Sequence, residues 1–283
     1  MRGLRFDPLD PLEPCIAIEP AISLPMVMND PQRWTWPEGR RAAVSLSYDD
    51  GHPDNLDHAV PDLEERGFLG TFYLTTNRER MRERADDWRA AFQRGHEIGN
   101  HTVRHPARAD DYLPNLPDWL PPELWLENYS PADIMREVDD AAVWLNENIG
   151  LDPFRTFANP CCASAIGKVP DEGSYYAAIR RHHFAARTGG NRTNDPRAMD
   201  LLRIRSYGFT EPTAEELTEY CEDAFNTGGW TVFMFHSIDG PSHNTRREVH
   251  RNLLGYLRDN SYWVASVREV ARYVLDQRYR KAK

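Results

Sequence analysis

Two short segments hold the side chains best suited to chemistry. Ser47-Tyr48-Asp49-Asp50-Gly51 places two adjacent carboxylates directly after the apolar run Ala42-Ala43-Val44-Ser45-Leu46. His101-Thr102-Val103-Arg104-His105-Pro106 offers two imidazoles at i and i+4. One carboxylate and two imidazoles can make a facial metal site with open positions, and the second carboxylate is then free as a base. That is the chemistry of a metal-dependent hydrolase. Taken singly, each segment has an ordinary reading. Asp-Asp-Gly is a common turn, because Asp hydrogen-bonds its own backbone and Gly supplies positive φ. Two His at this spacing share a face only if the segment is helical. Together they say more, because both follow strand-like runs, and catalytic residues of α/β barrels come from strand ends.

In this order the motifs resemble the polysaccharide deacetylase family (carbohydrate esterase family four), from Trp36 to Tyr273. The resemblance implies Asp49 as base, and Asp50, His101 and His105 as ligands of one divalent metal ion. It also implies a general acid at His236, which ends the apolar run Trp230-Thr231-Val232-Phe233-Met234-Phe235. Zinc suits the imidazoles best, with cobalt, nickel and iron as alternatives. The implied fold is a distorted seven- or eight-stranded (β/α) barrel, and the implied partner is a small-molecule or oligosaccharide substrate. One motif departs from the family. Where an Arg-x-Pro-aromatic segment orients the catalytic Asp, this chain reads Thr156-Phe157-Ala158-Asn159-Pro160-Cys161-Cys162, with Ala158 in place of the Arg. It is similar to a divergent branch with a Phe-Ala-x-Pro-Cys motif. Arg187, after Phe184-Ala185-Ala186, is the candidate replacement, and a solvated surface charge is its ordinary alternative.

Strand-like runs at 42–47, 70–74, 97–99, 155–157, 184–186, 201–204, 231–235 and 263–266 must position these residues. Helical patterns at 55–66, 83–94, 131–148, 174–182, 213–226, 246–259 and 267–279 separate them. Such alternation argues for a parallel sheet, open or closed. The expected organisation is an extended arm over 1–40, packing Trp34 and Trp36 on the body, then a single barrel domain over 41–283. Ser130-Pro131-Ala132-Asp133 and Thr213-Ala214-Glu215-Glu216 read as helix starts. Residues 107–129 differ: Tyr112, Trp119, Trp125 and Tyr129 alternate with four prolines. A long irregular stretch inside a compact domain is usually functional, and one rich in aromatics packs. Beginning directly after His105-Pro106, it is expected to form a wall or lid of the site. Trp119 and Trp125 are its expected substrate contacts, joined by Tyr48 and Pro160 beside the motif residues. A contact between copies of the chain is the competing reading, so self-association stays open.

The net charge of −10 disfavours nucleic acid or an anionic membrane as partner. No run of 18 apolar residues and no signal-like apolar segment occurs, so a soluble, cytoplasmic protein is expected. The cysteines are Cys15, Cys161, Cys162 and Cys221; none forms a CxxC pair, which excludes a zinc ribbon. Among the remaining histidines, His52 is near enough to touch substrate, His243 is a spare candidate for the acid, and His250 reads as structural. Three functions fit: deacetylation of an acetylated carbohydrate, hydrolysis of another C–N bond such as a cyclic imide or ureide ring, and non-catalytic carbohydrate binding. The missing Arg motivates the last.

Overall fold

The structure, a computed structural model, describes residues 34–190 and 192–281. Most of the expected arm, Cys15 included, lies outside the described residues. Strands β1 (Ala42–Tyr48), β2 (Thr71–Leu74), β3 (Glu97–Asn100), β4 (Phe157–Ala158), β5 (Ala186–Gly189), β6 (Ile204–Gly208) and β7 (Trp230–Phe235) run parallel in sequence order. β7 returns to pair with β1 from Ala43 to Tyr48, which closes a seven-stranded barrel. Two short strands, β8 (Ser237–Ile238) and β9 (Asn244–Thr245), pair with each other beyond β7. The extra strand β10 (Tyr262–Val264) explains why the count was ambiguous. It pairs with Ala42, Ala43 and Val44, whereas β2 pairs only with Ser47 and Tyr48. With β7 along one edge of β1, the other edge is divided between β10 at its start and β2 at its end. The barrel is distorted by that shared edge.

Helices alternate with the strands: α1 (Val60–Glu65), α2 (Glu79–Arg82), α3 (Ala85–Gln93), α4 (Pro131–Asn148), α5 (Glu172–Arg180), α6 (Ala214–Thr227), α7 (Arg247–Asp259) and α8 (Val267–Lys281). The stretch before α1 is a π-turn, Asn55–Ala59, so the helical run expected at 55–66 is two pieces. Sequence punctuation sets several ends. Ser130 and Asp133 form a reciprocal capping box at the start of α4, as Thr213 and Glu216 do for α6. Gly228 ends α6 in the left-handed conformation, φ 74°. At the arm's described end, Trp36 is buried against Trp263 and Tyr273 and donates its indole N–H to the Gly228 carbonyl at 3.0 Å.

Alternation along β1 decides what points where. Val44, Leu46 and Tyr48 face outward into one apolar cluster with Leu63, Phe72 and Leu253. The residues between them therefore face the barrel interior. Ser45 accepts the Trp230 indole N–H at 3.0 Å there. Tyr73 also fills the interior, so close to β3 that a Cβ on Gly99 would lie 2.3 Å from its ring. Only glycine leaves room at that position.

Candidate active site

All barrel strands are parallel, so their C-terminal ends meet at one mouth, and each expected catalytic segment leaves from there. Asp49 is the inward residue at the end of β1, where its N–H is held by the Phe235 carbonyl at 2.9 Å. The chain then turns sharply: Asp50 and Gly51 have φ 71° and 63°. A side chain on Gly51 would meet Met81 at 2.8 Å, so this turn is closely packed as well as left-handed.

His101 and His105 are brought together by a turn, not by a helix. Thr102 and His105 both have positive φ, 65° and 62°. Side chains stabilise that strained path. Asn100 accepts the Thr102 N–H at 2.9 Å, and the Thr102 hydroxyl accepts the His105 N–H at 3.0 Å. Glu137, on the buried face of α4, accepts the N–H groups of Val103 at 3.1 Å and Arg104 at 2.9 Å. It also binds the Arg104 guanidinium at 2.7 Å and takes the Tyr129 hydroxyl at 3.2 Å.

Ligand atoms of Asp50, His101 and His105 all lie within 4.8 Å of one another. The Nε2 atoms of His101 and His105 stand 3.9 and 3.6 Å from Asp50 Oδ1. His101 donates Nδ1–H to the Ala158 carbonyl at 2.9 Å, which fixes its tautomer and leaves the Nε2 lone pair facing Asp50. The electrostatics suit a metal. Burial alone would raise the Asp50 carboxyl, but His105, His52, Arg78 and His101 hold it well below the usual range. Burial pushes His101 down, and pushes His105 down to about 3, against the pull of the carboxylates. At neutral pH the trio is one anion and two neutral imidazoles, the donor set a divalent transition metal requires.

Asp49 is buried, and its Oδ2 is gripped by Arg187 Nη2. Arg187 enters from β5, is wholly buried, gives Nη1 to Ser206 Oγ at 2.8 Å and lies over the Tyr73 ring at 5.1 Å. Although burial would lower its pKa, Asp49 raises it. Asp49 Oδ1 has no hydrogen-bond partner among the described residues. His236, at the end of β7, borders the same cavity, 4.9 Å ring to ring from His243. Burial pushes His236 down to about 4, with Asp49 and Asp50 opposing.

The cavity over these groups is about 390 Å³, in the range of small-molecule sites. Asp111, Tyr112 and Trp119 form one wall, and Trp119 meets His105 edge-on at 5.9 Å. The stretch carrying them is packed in place. Leu120 and Leu126 are buried, and Glu127 accepts the N–H groups of Ala109 and Asp110, each at 3.0 Å.

Three expected substrate contacts are corrected. Tyr48 cannot reach the cavity, because alternation turns it outward when Asp49 turns inward; its hydroxyl meets His250 Nε2 at 2.7 Å in the core. Trp125 packs within its own loop, donating its indole N–H to Leu120 at 3.0 Å, and is not part of the cavity wall. Pro160 is buried and instead starts the turn that presents Cys161 and Cys162, both left-handed at φ 49° and 58°, to the cavity. Sequence reasoning missed Arg78, which follows β2 and borders the cavity, as well as Glu137 and Asn100. Glu137 had a signal: it falls on the same helical face as Ile134, Val138 and Ala141, where an unpaired acid does not belong.

Comparison with known proteins agrees with this geometry. The family model for polysaccharide deacetylase matches residues 37–165, which hold Asp49, Asp50, His101 and His105. The fold extends the likeness. A protein from Mycobacterium smegmatis assigned to the polysaccharide deacetylases superposes with TM-score 0.63 at 14% identity, covering 87% of this chain and 94% of its own. A family 4 acetyl xylan esterase from Clostridium thermocellum, solved with a cobalt ion, gives 0.51 at 19% identity over 80% and 89%. A CE4 family pseudoenzyme from Bacillus anthracis gives 0.51 at 13% over 82% and 66%. None of the curated proteins compared with the chain matches it in sequence. No helix among the described residues is long and apolar enough to cross a membrane.

Proposed function

We propose that this protein is a metal-dependent hydrolase that removes an acetyl group from an acetylated carbohydrate. The supporting observation is the pairing of Asp50, His101 and His105 in one cluster with an Asp49 carboxylate that Arg187 grips beside it. A divalent ion, zinc by preference, would be held by Asp50, His101 and His105, and would supply the Lewis acidity that makes water and an acyl carbonyl reactive. Asp49 accepts the proton released as water adds to the carbonyl, and Arg187 holds that carboxylate in place. His236 supplies a proton to the departing oxygen or nitrogen. Its ring is neutral at rest near pH 7, so the proton it supplies is one it first gains during turnover. Trp119 gives the substrate ring an apolar face, with Tyr112 edge-on to it. The wall over 107–129 acts as a fixed side of the pocket.

The test is metal content followed by turnover. About one transition-metal ion per chain in wild type, lost in His105→Ala, with acetate released from an acetylated sugar, supports the reading. A panel of cyclic imides and ureides run beside the sugars covers the neighbouring C–N hydrolases. No metal in wild type after zinc is supplied would sink the hydrolase and leave a carbohydrate-binding protein as the better account.

A further inference from the structure

Among the described residues, Arg78 is the only Arg or Lys in the cavity wall, and the proposed reaction gives it no task. It stands at the end of the loop after β2, in extended conformation just before α2. Its side chain is 31% exposed, and Nη2 lies 3.1 Å from Asp50 Oδ1. Among the described residues, Asp50 is the only carboxylate within ion-pair distance of it. Arg187 is different: it is buried out of the wall and committed to Asp49 and Ser206.

Charge matching at the mouth therefore depends on Asp50. Asp49 is balanced by Arg187. If a divalent ion draws the charge of Asp50, Arg78 loses its counter-ion while remaining at the cavity surface. Among the described residues, Asp111 is then the only other acid in the wall, against a guanidinium and a dication. Such a pocket is positive inside a protein whose net charge is −10, and focuses anions toward itself. A guanidinium also offers a planar fork of donors that fits a carboxylate or phosphate-like group.

Resting on the hydrolase reading above, we infer that Arg78 recognises an anionic group on the substrate, a carboxylate or similar charge close to the acyl group. Specificity then comes from an anion on Arg78 and a ring face on Trp119.

Two probes differing only in charge test this, N-acetylglycine and N-acetylglycinamide. Their binding to metal-loaded wild type and to Arg78→Gln is measured by titration calorimetry, with metal content determined on the same samples. Wild type should prefer the acid by about tenfold or more at low salt, and Arg78→Gln should reduce the preference to about twofold or less, with metal retained. Arg78→Lys should keep part of it. Equal binding of the probes by wild type, an unchanged preference in Arg78→Gln, or binding of neither probe would each overturn the inference. Loss of metal from Arg78→Gln alone would make Arg78 a support of Asp50 and overturn it too. A wild-type protein that takes no metal refutes the hydrolase reading instead, so the two failures stay distinct.

Discussion

Replacing Glu137 by alanine removes a carboxylate that touches neither substrate nor metal ligand, yet holds the turn between His101 and His105. It accepts four hydrogen bonds: two backbone N–H groups of that turn, the Arg104 guanidinium and the Tyr129 hydroxyl. Each buried donor left without an acceptor costs roughly 1–3 kcal/mol. Val103 is half-buried and Arg104 exposed, so water replaces part of what Glu137 gave, and a total near 2–4 kcal/mol is the reasonable figure. What distinguishes positioning from simple stability is where that loss appears. Thr102 and His105 are left-handed, and without Glu137 the turn has less reason to keep them so. Metal affinity should therefore fall by about 10–100-fold, the usual effect of removing a group that orients ligands. Zinc binding is measured by competition with a chromogenic chelator, at a temperature where the apo variant is folded by circular dichroism. Glu137→Gln, which keeps one acceptor oxygen, should fall between the two. If Glu137→Ala melts earlier yet binds zinc within about twofold of wild type, the turn does not need its brace and the reasoning fails.

Three further outcomes follow from the geometry. Arg187→Ala leaves Asp49 buried without its counter-charge, which should lower kcat by about 100-fold and destabilise the fold by roughly 3–5 kcal/mol, with Arg187→Lys intermediate; turnover unchanged in Arg187→Ala but abolished in His105→Ala would remove Arg187 from the mechanism. Trp119→Ala should raise KM about 2–10-fold with little change in kcat, and equal kinetics would make the aromatic wall irrelevant to binding. His183 is buried neutral, giving Nδ1–H to Arg155 and accepting from Asn100 Nδ2, and burial pushes it down to about 3. Its folded pKa is below the ordinary 6.5, so its stabilisation is complete above pH 6.5 and is lost as pH falls toward 3; His183→Gln should flatten Tm against pH across that window, and an unchanged slope would assign the acid sensitivity elsewhere.

The sequence revealed the barrel well where strands such as β1, β2 and β7 are buried on both faces and so read as apolar runs. Where it misled is informative. β5 was expected at 184–186 but runs Ala186–Gly189, and β6 was expected at 201–204 but runs Ile204–Gly208. In both, the apolar run ends where polar residues begin. Those polar residues, Arg187 and Ser206 among them, are still in strands; they are polar because the strand has reached the mouth. Apolar periodicity therefore loses a functional barrel strand at the end where its chemistry starts. Tyr48 shows the converse error. Adjacency to Asp49 made it look like a pocket residue, although period-two alternation already required it to face away. Glu137 was hidden because its partners, two N–H groups some 33 residues earlier, exist only once the turn is folded.

The missing motif Arg illustrates how a site keeps its physics while changing its sequence. What the proposed reaction requires is a buried guanidinium against the carboxylate proposed to take the proton, and several inward positions at the same height could supply one. Ala158 and Arg187 are direct register partners on neighbouring strands β4 and β5. The position that lacks the Arg and the position that has one are thus side by side at the barrel mouth. Ala158 is still used, since its carbonyl holds the His101 tautomer. A site losing function would drop the guanidinium and leave Asp49 buried with an uncompensated charge, which is expensive in a dry interior. Here the charge is matched from one strand over, and Ser206 fixes the guanidinium in turn. That arrangement favours an active hydrolase over a binding protein that kept only the fold.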